Sequence, residues 1–410
     1  MKKFLLAFLL LGLAWGPRPG RAQAPVAVGA PAPALRFAAV LNGPRPAASL
    51  AGLRGQTVLL EFWGTYCGPC VAAMPHLQAL QKQFAGRLQV LAVSQETPAR
   101  VARYLAARPS NLWFAAVGPA QSDSLQRLFS YRTVPHAVLI DAAGRVVAIT
   151  DPRYVRAGAV DSVLRGLPVH LPLKQDNRAL DPMAACFPAN AATPPRFRLL
   201  PAVQGVGGIV RTYPQDSSAF HNRRLTAMNL PLATLYRLAY GNLSYYRTLD
   251  LRPKAPAGAP EPTYCVDLVV ARGQEPTLLP TLRRALAARF GLRAALEPRT
   301  KPVYLLKVAD ARRLPAPARP ATATGGGMSG GQFSADDAPL AAVANYLEDF
   351  GVVKRPVLDA TRLATRYNLH FEFQPEKPGD LHRALGALGL ALEEAERPVD
   401  VLVLREQRGP

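Results

Sequence analysis

The chain has 410 residues, of which 49% are hydrophobic, so it is too long for one compact core and predicts two or three folded domains. Its 40 prolines and 31 glycines indicate long connecting segments. The formal net charge is +21, but no run of lysines or arginines and no aromatic platform accompanies it. Nucleic acid is therefore not expected as a partner, and the charge indicates a basic, solvated surface.

The N-terminus has the pattern of a secretory signal peptide. Lys2 and Lys3 precede an apolar run at 4–15 that is too short to span a bilayer as a stable helix, and small residues follow it up to Ala24. We therefore predict a signal peptide over 1–24 and a protein that is exported to the periplasm or cell envelope. An uncleaved membrane anchor is the alternative.

Residues 25–167 alternate between predicted strands and helices. Apolar runs predict buried strands, and the stretches between them predict helices. The expected strands are 35–41, 57–63, 88–95, 134–141 and 145–150, and the expected helices are 67–84, 98–107, 121–130 and 157–166. This alternation predicts an α/β domain with parallel strands at its centre. The proline-rich segment that follows, 168–195, lacks periodicity and is predicted to be a linker.

The remaining residues, 196–410, contain an internal repeat. Each half is predicted to fold as strand–helix–strand–helix–strand–strand, with a proline-containing turn between the last two strands. The corresponding segments are 225–241 and 333–351, 263–270 and 366–373, and 279–308 and 379–404. We predict an α+β domain built from two similar halves, 196–311 and 333–410, which a flexible segment at 312–332 joins. Chance similarity between two α+β segments is the alternative.

Two cysteines, Cys67 and Cys70, lie close together in the sequence and carry the strongest chemical signal. A zinc site needs four ligands, and the other two cysteines, Cys186 and Cys265, are isolated. Haem attachment needs a histidine directly after the second cysteine, where Val71 stands. A permanent cross-link over so short a loop would restrain almost nothing. We therefore expect a redox-active pair that uses no metal and no cofactor.

The position of the pair gives the redox interpretation a mechanism. Cys67 falls where a strand meets the N-terminus of a helix, and the unpaired amides and dipole of that end favour the thiolate, which is the attacking species. Cys70, one turn further in, is placed to resolve a mixed disulfide on Cys67. Glu61, on the preceding strand, is a candidate to accept or relay the proton of Cys70. A strand-end glutamate that faces solvent is the alternative for Glu61.

The residues around the pair resemble a known family. The stretch LLEFWGTYCGPC resembles the active site of the thioredoxin superfamily, and residues 26–167 resemble the exported TlpA/ResA-like thiol–disulfide oxidoreductases. Thr133-Val134-Pro135 matches the family's cis-proline motif. The resemblance implies a thioredoxin-like domain over 25–167 in which Cys67 is the nucleophile, Cys70 the resolving thiol, Glu61 the buried acid and Pro135 the cis-proline. It also implies that the substrate is flanked by Trp63, Gly68, Pro69 and Val134.

One departure from the family concerns the acid. TlpA/ResA-like proteins often carry an acidic residue three positions after the second cysteine, where this chain has Ala73.

The resemblance implies protein thiols or disulfides as substrates. The Gly-Pro spacer, which thioredoxin shares, favours a reductase, and a reductase outside the cytoplasm needs an upstream membrane electron donor.

The C-terminal half resembles a bacterial, soil-associated domain family of unknown function. More weakly, its halves resemble the short N-terminal domain of secretins and TonB-dependent receptors, which is an envelope interaction module. We therefore expect 196–410 to bind an envelope protein and to position the redox domain. A protein whose main role is that of an envelope adaptor, with an ancillary redox domain, is the alternative.

The two isolated cysteines allow three interpretations. Cys186 and Cys265 form a structural disulfide between the linker and the first half, or they are free, buried thiols, or they exchange disulfides with Cys67 within the chain.

Overall fold

The computed structural model describes residues 24–37, 39–43, 48–174, 176, 181–203, 206–215, 217–253, 261–318, 326–329 and 331–407. The predicted signal peptide lies outside them except for Ala24, and so do residues 319–325 and 330 of the predicted flexible segment 312–332. Within the described ranges no helix is both long and apolar enough to cross a membrane.

The first part of the chain is an α/β sandwich. Its strands are β1 (Arg36–Phe37), β2 (Val40–Leu41), β3 (Ala48–Ser49), β4 (Thr57–Trp63), β5 (Leu88–Ser94), β6 (Trp113–Ala116), β7 (His136–Ile140) and β8 (Val146–Thr150). Its helices are α1 (Gly68–Gln83), α2 (Pro98–Ala107), α3 (Ser122–Leu128) and α4 (Ala157–Leu164).

A six-stranded sheet in the order β2-β6-β5-β4-β7-β8 forms the centre of the sandwich. Strands β4, β5 and β6 are parallel, and the strands on either side of them run antiparallel. Because helices cover both faces, β4 is buried at every position, which explains its continuous apolar sequence. The predicted α/β domain with central parallel strands is confirmed.

The start of the sheet differs from the prediction. The single strand expected at 35–41 is divided into β1, which pairs with β3, and β2, which pairs with β6. Asn42 adopts a positive φ of 58°, in keeping with the predicted turn at Asn42-Gly43.

The segment predicted as a linker is packed against the domains on both of its sides. Residues 171–174 and 176, which we call the strap, run along the redox domain: the Lys174 amide donates to the Ile149 carbonyl at 3.0 Å, and Thr150 Oγ1 donates to the Pro172 carbonyl at 2.7 Å. Further on, helix α5 (Pro182–Cys186) packs against the C-terminal part. The low periodicity of 168–195 therefore reflects irregular backbone and not a free tether.

The C-terminal part is a mixed α/β domain. Its strands are β9 (Arg196–Pro201), β10 (Ile209–Thr212), β11 (Arg224–Pro231), β12 (Thr248–Asp250), β13 (Thr263–Val269), β14 (Leu292–Val308), β15 (Gly326–Ser329), β16 (Gln332–Pro339), β17 (Val357–Asp359), β18 (Arg366–Glu372) and β19 (Leu390–Glu406). Its helices are α6 (Leu232–Ala239), α7 (Leu278–Phe290), α8 (Ala341–Asp349) and α9 (Asp380–Ala387).

The same order of elements occurs twice in this part. The series β11–α6–β13–α7–β14 has the counterpart β16–α8–β18–α9–β19. A register shift interrupts β11 between Ala227 and Leu230, and another interrupts β16 between Ala335 and Ala338. In each bulge one residue has a positive φ, at Asn229 in the first and at Asp337 in the second.

The hairpins predicted at the end of each half are wrong. In place of two short strands joined by a turn, β14 and β19 are each one strand of 17 residues, and they pair with each other from end to end. Pro298, Pro302 and Pro398 suggested turns. They lie where no other described strand pairs with this ribbon, because β17 pairs only with 304–306 and β12 only with 402–404. A proline is tolerated at such an open edge because no partner strand needs its missing N–H.

The long ribbon joins the two hydrophobic cores of the domain. Leu402 and Leu404 of β19 are buried in the core of the first series, among residues of α6 and α7. Leu306 of β14 is buried in the core of the second series. Each series therefore depends on a strand that the other one supplies.

Candidate active site

The two cysteines of the C-x-x-C pair are joined by a disulfide at the start of α1. Cys67 is the N-cap of the helix, with its backbone extended, and the amide of Cys70 donates to Cys67 Sγ at 3.2 Å. Pro69 stands in the first turn, where its missing N–H has no helical partner. The sequence therefore places a sulfur where helix amides converge, which is the position that favours a thiolate after reduction.

The two cysteines of the disulfide differ in their exposure to solvent. Cys67 is 7% exposed and Cys70 is fully buried, whereas Gly68 and Pro69 between them lie on the surface. Tyr66, just before the pair, is also exposed, at 55%. Of the two cysteines, Cys67 is therefore the more accessible to a partner.

Glu61 lies in the middle of β4 and is fully buried, so the solvent-facing alternative is wrong. It shares a face of the strand with Leu59 and Trp63, which lie in the same core cluster as Cys70. Neither carboxylate oxygen has a hydrogen-bond partner in the described structure. Burial raises the pKa of Glu61 well above its ordinary value, the charge of Asp151 adds to the rise, and the charge of Lys174 opposes it.

The loop before β7 brings the predicted proline motif into the site region. The Val134–Pro135 peptide bond is cis, as the motif implied, and both residues are half-buried. Lys174 Nζ donates to the carbonyl of Thr133 at 2.7 Å, so a hydrogen bond joins the strap to this loop. Val134 itself packs against both core clusters of the sandwich.

Trp63 does not lie where the sequence analysis expected it. Its side chain is only 2% exposed and packs against Tyr104 and Phe114, with ring centroids 5.0 and 5.4 Å away. It therefore supports the disulfide from inside the core and does not face a substrate, because β4 is still fully buried at its last residue. The exposed aromatic ring beside the cysteines is that of Tyr66.

Sequence reasoning missed Lys174. It lies in a segment without periodicity, and its neighbours Thr133, Asp151 and Glu61 are brought to it only by the tertiary fold. Burial lowers the pKa of Lys174, and the charges of Asp176, Asp151 and Glu61 oppose that fall. The one available signal was a lysine among the apolar and proline residues of the predicted linker.

Cys186 and Cys265 are both free thiols in the structure, so the disulfide considered for them is not formed. They lie in one small core cluster with Met183, Phe187 and Met228. Cys265 is fully buried, and its sulfur exchanges hydrogen bonds with Asn229, accepting from the amide at 3.3 Å and donating to Oδ1 at 3.2 Å. Burial raises the pKa of the Cys265 thiol.

Across the described chain, no group of three or more His, Cys, Asp or Glu side chains is arranged to hold a metal ion.

Comparison with known families divides the chain in two. Residues 28–149 match the AhpC/TSA family, and residues 239–406 match a protein family of unknown function, DUF3738.

Similar proteins include thioredoxin-like proteins and thiol–disulfide oxidoreductases. The thioredoxin-like protein YneN of Bacillus subtilis is 48% identical over 46 residues, which are 11% of this chain and 27% of YneN. The thiol-disulfide oxidoreductase ResA of Halalkalibacterium halodurans is 30% identical over 101 residues, which are 24% of this chain and 56% of ResA. The chain thus spans about half, or less, of the length of these curated relatives. A solved thiol:disulfide interchange protein from Chlorobium tepidum has 22% identity and a TM-score of 0.29, covering 34% of this chain and 98% of its own.

The chain therefore contains two regions with different likenesses. Residues 28–149, which carry the disulfide at the head of α1, match the AhpC/TSA family, and ResA-like thiol–disulfide oxidoreductases are among the similar proteins; residues 239–406 match DUF3738, a family of unknown function.

Proposed function

We propose that this protein is an exported thiol–disulfide oxidoreductase that reduces disulfides in other proteins. The observation that carries the proposal is the Cys67–Cys70 disulfide at the N-terminus of α1, in one domain with the cis Val134–Pro135 loop. In this reading Gly68, Pro69 and the backbone of Val134 receive the substrate, and Pro135 shapes that surface.

The reaction transfers two electrons. The reduced Cys67 thiolate attacks a substrate disulfide, which forms a mixed disulfide and releases one substrate thiolate. Cys70, once deprotonated, attacks Cys67 Sγ and releases the second substrate thiolate. The products are a substrate dithiol and the Cys67–Cys70 disulfide, which is the oxidised state that the structure contains.

Glu61 is the group that we propose to take the proton of Cys70. A carboxylate with a raised pKa is a stronger base than an exposed one, and a general base works best when its pKa lies near the working pH. Because neither oxygen of Glu61 has a hydrogen-bond partner among the described residues, the carboxyl is free to accept and return a proton.

The direction and place of the reaction are further parts of the proposal. The predicted signal peptide supports export. The Gly-Pro spacer occurs in thioredoxin, whose potential of about −270 mV makes it a reductant. A reductase in an oxidising compartment must be re-reduced, so the proposal requires a membrane electron donor that supplies two electrons per cycle.

For the C-terminal domain, we propose duplication and an interaction role. The repeated series of elements, with a matching bulge at Asn229 and at Asp337, supports descent of the two halves from one unit. An envelope protein is the partner we propose for this domain.

A trapping experiment tests the redox proposal. Full-length Cys70→Ala, reduced and mixed with a peptide that contains one disulfide, should accumulate a one-to-one mixed disulfide on Cys67. Cys67→Ser should capture nothing, and Cys186→Ala, which removes a thiol outside the pair, should behave as wild type. Capture that does not depend on Cys67 would overturn the proposal and would favour a protein that works mainly as an adaptor.

A further inference from the structure

We infer that Lys174 of the strap is a positioning residue for the oxidoreductase reaction: its ammonium group holds the carbonyl of Thr133 and thereby aims the N–H of Val134 at the backbone of a bound substrate. The inference rests on the proposed function, in which the backbone of Val134 receives the substrate. It adds to the site a residue that lies beyond the AhpC/TSA match of residues 28–149.

The strap is hydrogen-bonded to the backbone just before Thr133. The Asp176 amide donates to the Ser130 carbonyl at 2.7 Å, and Asp176 Oδ2 accepts from the Arg132 amide at 2.6 Å. On the other side of Lys174, the strap is bonded to β8 as described above. The backbone from which the Lys174 side chain extends is therefore held in place at both ends.

The side chain of Lys174 makes a directed contact with the loop. Its Nζ donates to the carbonyl of Thr133 at 2.7 Å. The carboxylates of Asp176, Asp151 and Glu61 act on Lys174 through their charges, and among the described residues none of them is hydrogen-bonded to it. A hydrogen bond from a charged donor is stronger than one between neutral groups, so it holds this carbonyl firmly.

The carbonyl of Thr133 and the N–H of Val134 belong to one peptide group. This group is planar and trans, since the cis bond is the next one along the chain, Val134–Pro135. Its carbonyl and N–H therefore point in opposite directions, and a carbonyl that points to the strap turns the N–H away from it. No described residue accepts a hydrogen bond from the Val134 N–H. The charge of Lys174 also polarises the peptide group, which makes this N–H a better donor to a substrate carbonyl.

The C-terminal domain contacts the side chain of the same threonine. Gly207, between β9 and β10, lies so near Thr133 that a Cβ on Gly207 would be 2.7 Å from Thr133 Cγ2 and 2.8 Å from Thr133 Oγ1. This contact limits the position of the Thr133 side chain, but it leaves the next peptide group able to rotate. The hydrogen bond from Lys174 restrains that rotation.

The test compares two disulfides with the full-length, reduced protein and dithiothreitol as the regenerating reductant. One is a short peptide with one disulfide, and the other is hydroxyethyl disulfide, which has no peptide group to pair with Val134. We expect Lys174→Met to lower the ratio of kcat/KM on the peptide to kcat/KM on hydroxyethyl disulfide by about tenfold, mainly through a higher KM for the peptide. An effect of Lys174 through Glu61 would slow both reactions alike, because Cys70 resolves either mixed disulfide.

Thr150→Val is the matched control. It removes the hydrogen bond between the strap and β8 with little change in shape and keeps Lys174, so the ratio should stay unchanged. Lys174→Arg, which keeps a charged donor, should lower the ratio less than Lys174→Met does. An unchanged ratio in Lys174→Met, or an equal fall in Thr150→Val, would overturn the inference alone. A wild type that reduces neither disulfide would overturn the proposed function and the inference with it.

Amide hydrogen exchange gives a second measurement that needs no change at Lys174. In the mixed disulfide of Cys70→Ala with the peptide, the Val134 N–H should exchange about tenfold more slowly than in the same protein without peptide. Equal exchange in the two states would show that this N–H does not pair with the substrate. That result would overturn the inference, whereas formation of the mixed disulfide would still support the redox reaction.

Discussion

At the scale of single residues, Glu61 connects the fold to the chemistry. The sequence makes Glu61 a candidate proton acceptor for Cys70. Glu61 is the one charged residue of the apolar strand β4, and it lies six residues before Cys67. Its burial, and the absence of a hydrogen-bond partner for it in the part of the chain that the structure describes, emerge only from the packed structure. A buried carboxyl without hydrogen bonds lowers stability whenever it is charged, which makes it suited to hold a proton.

The raised pKa of Glu61 has a consequence for stability. Since the folded pKa lies above the unfolded value of about 4.3, the folded state holds a proton that the unfolded state releases between these two values. The free energy of unfolding should therefore fall as the pH rises through that window, by up to about 1.4 kcal/mol per pH unit. Glu61→Gln should remove this loss, so its advantage over the wild type should grow from pH 4 to pH 8. Urea unfolding at each pH measures it, and identical pH dependence in both proteins would contradict the assignment.

Lys174 is the residue that sequence reasoning could not find, and its role has its own test. Its charge lowers the pKa of Glu61, so Lys174→Gln should raise that pKa further. Carbon-13 NMR of the Glu61 carboxyl should show a titration midpoint at higher pH in Lys174→Gln than in the wild type. Lys354→Gln, a change at an exposed lysine, should leave the midpoint unchanged. A midpoint that stays in place or falls in Lys174→Gln would show that the charge of Lys174 does not lower the pKa of Glu61.

At the scale of secondary structure elements, local signals predicted the redox domain better than the C-terminal domain. Strand β4 and helix α1 were predicted within a residue or two, because apolar runs and a proline in the first helical turn are local features. Strands β14 and β19 were predicted as hairpins because Pro298 and Pro398 suggest turns. Only the pairing between the two distant strands shows that these prolines sit at open edges.

The contact between the loop at Gly207 and the loop at Thr133 should contribute to the stability of the protein. Gly207→Ala places a methyl group against Thr133 Cγ2 and Oγ1, so we expect it to lower the free energy of unfolding by about 1–3 kcal/mol. Thr133→Ala removes both atoms, so the double variant should recover most of that loss. Gly158→Ala, in α4 with no atom within 4 Å of the new methyl group, should be neutral or slightly stabilising.

Thermal unfolding of the wild type and of these four variants measures the effects. A double variant no more stable than Gly207→Ala alone would show that the two loops are not in contact.

At the scale of the whole molecule, the two halves of the C-terminal domain are interlocked. The core of the first series includes Leu402 and Leu404, which the chain reaches only near its end. The internal similarity of the sequence predicted two comparable halves. It did not predict that each half uses a strand of the other, because similarity between two segments does not show which strands pair.

A truncated chain tests the interlocking. A protein that ends at residue 318 lacks β19, which is the full-length partner of β14. We expect β11, β13 and β14 to lose their protection against amide hydrogen exchange, while β4 and β5 of the redox domain keep theirs. Equal protection of the first series in the truncated and complete proteins would show that it folds alone.

The central claim is that Cys67 exchanges electrons with a substrate disulfide, and a single-turnover reaction tests it most directly. Reduced full-length protein, mixed with an excess of disulfide peptide, should release one peptide dithiol for each Cys67–Cys70 disulfide formed. Cys67→Ser should slow this release by about a thousandfold or more, and Cys186→Ser should not change it. Release that continues at the wild-type rate in Cys67→Ser, or the absence of any exchange in the wild type, would contradict the account.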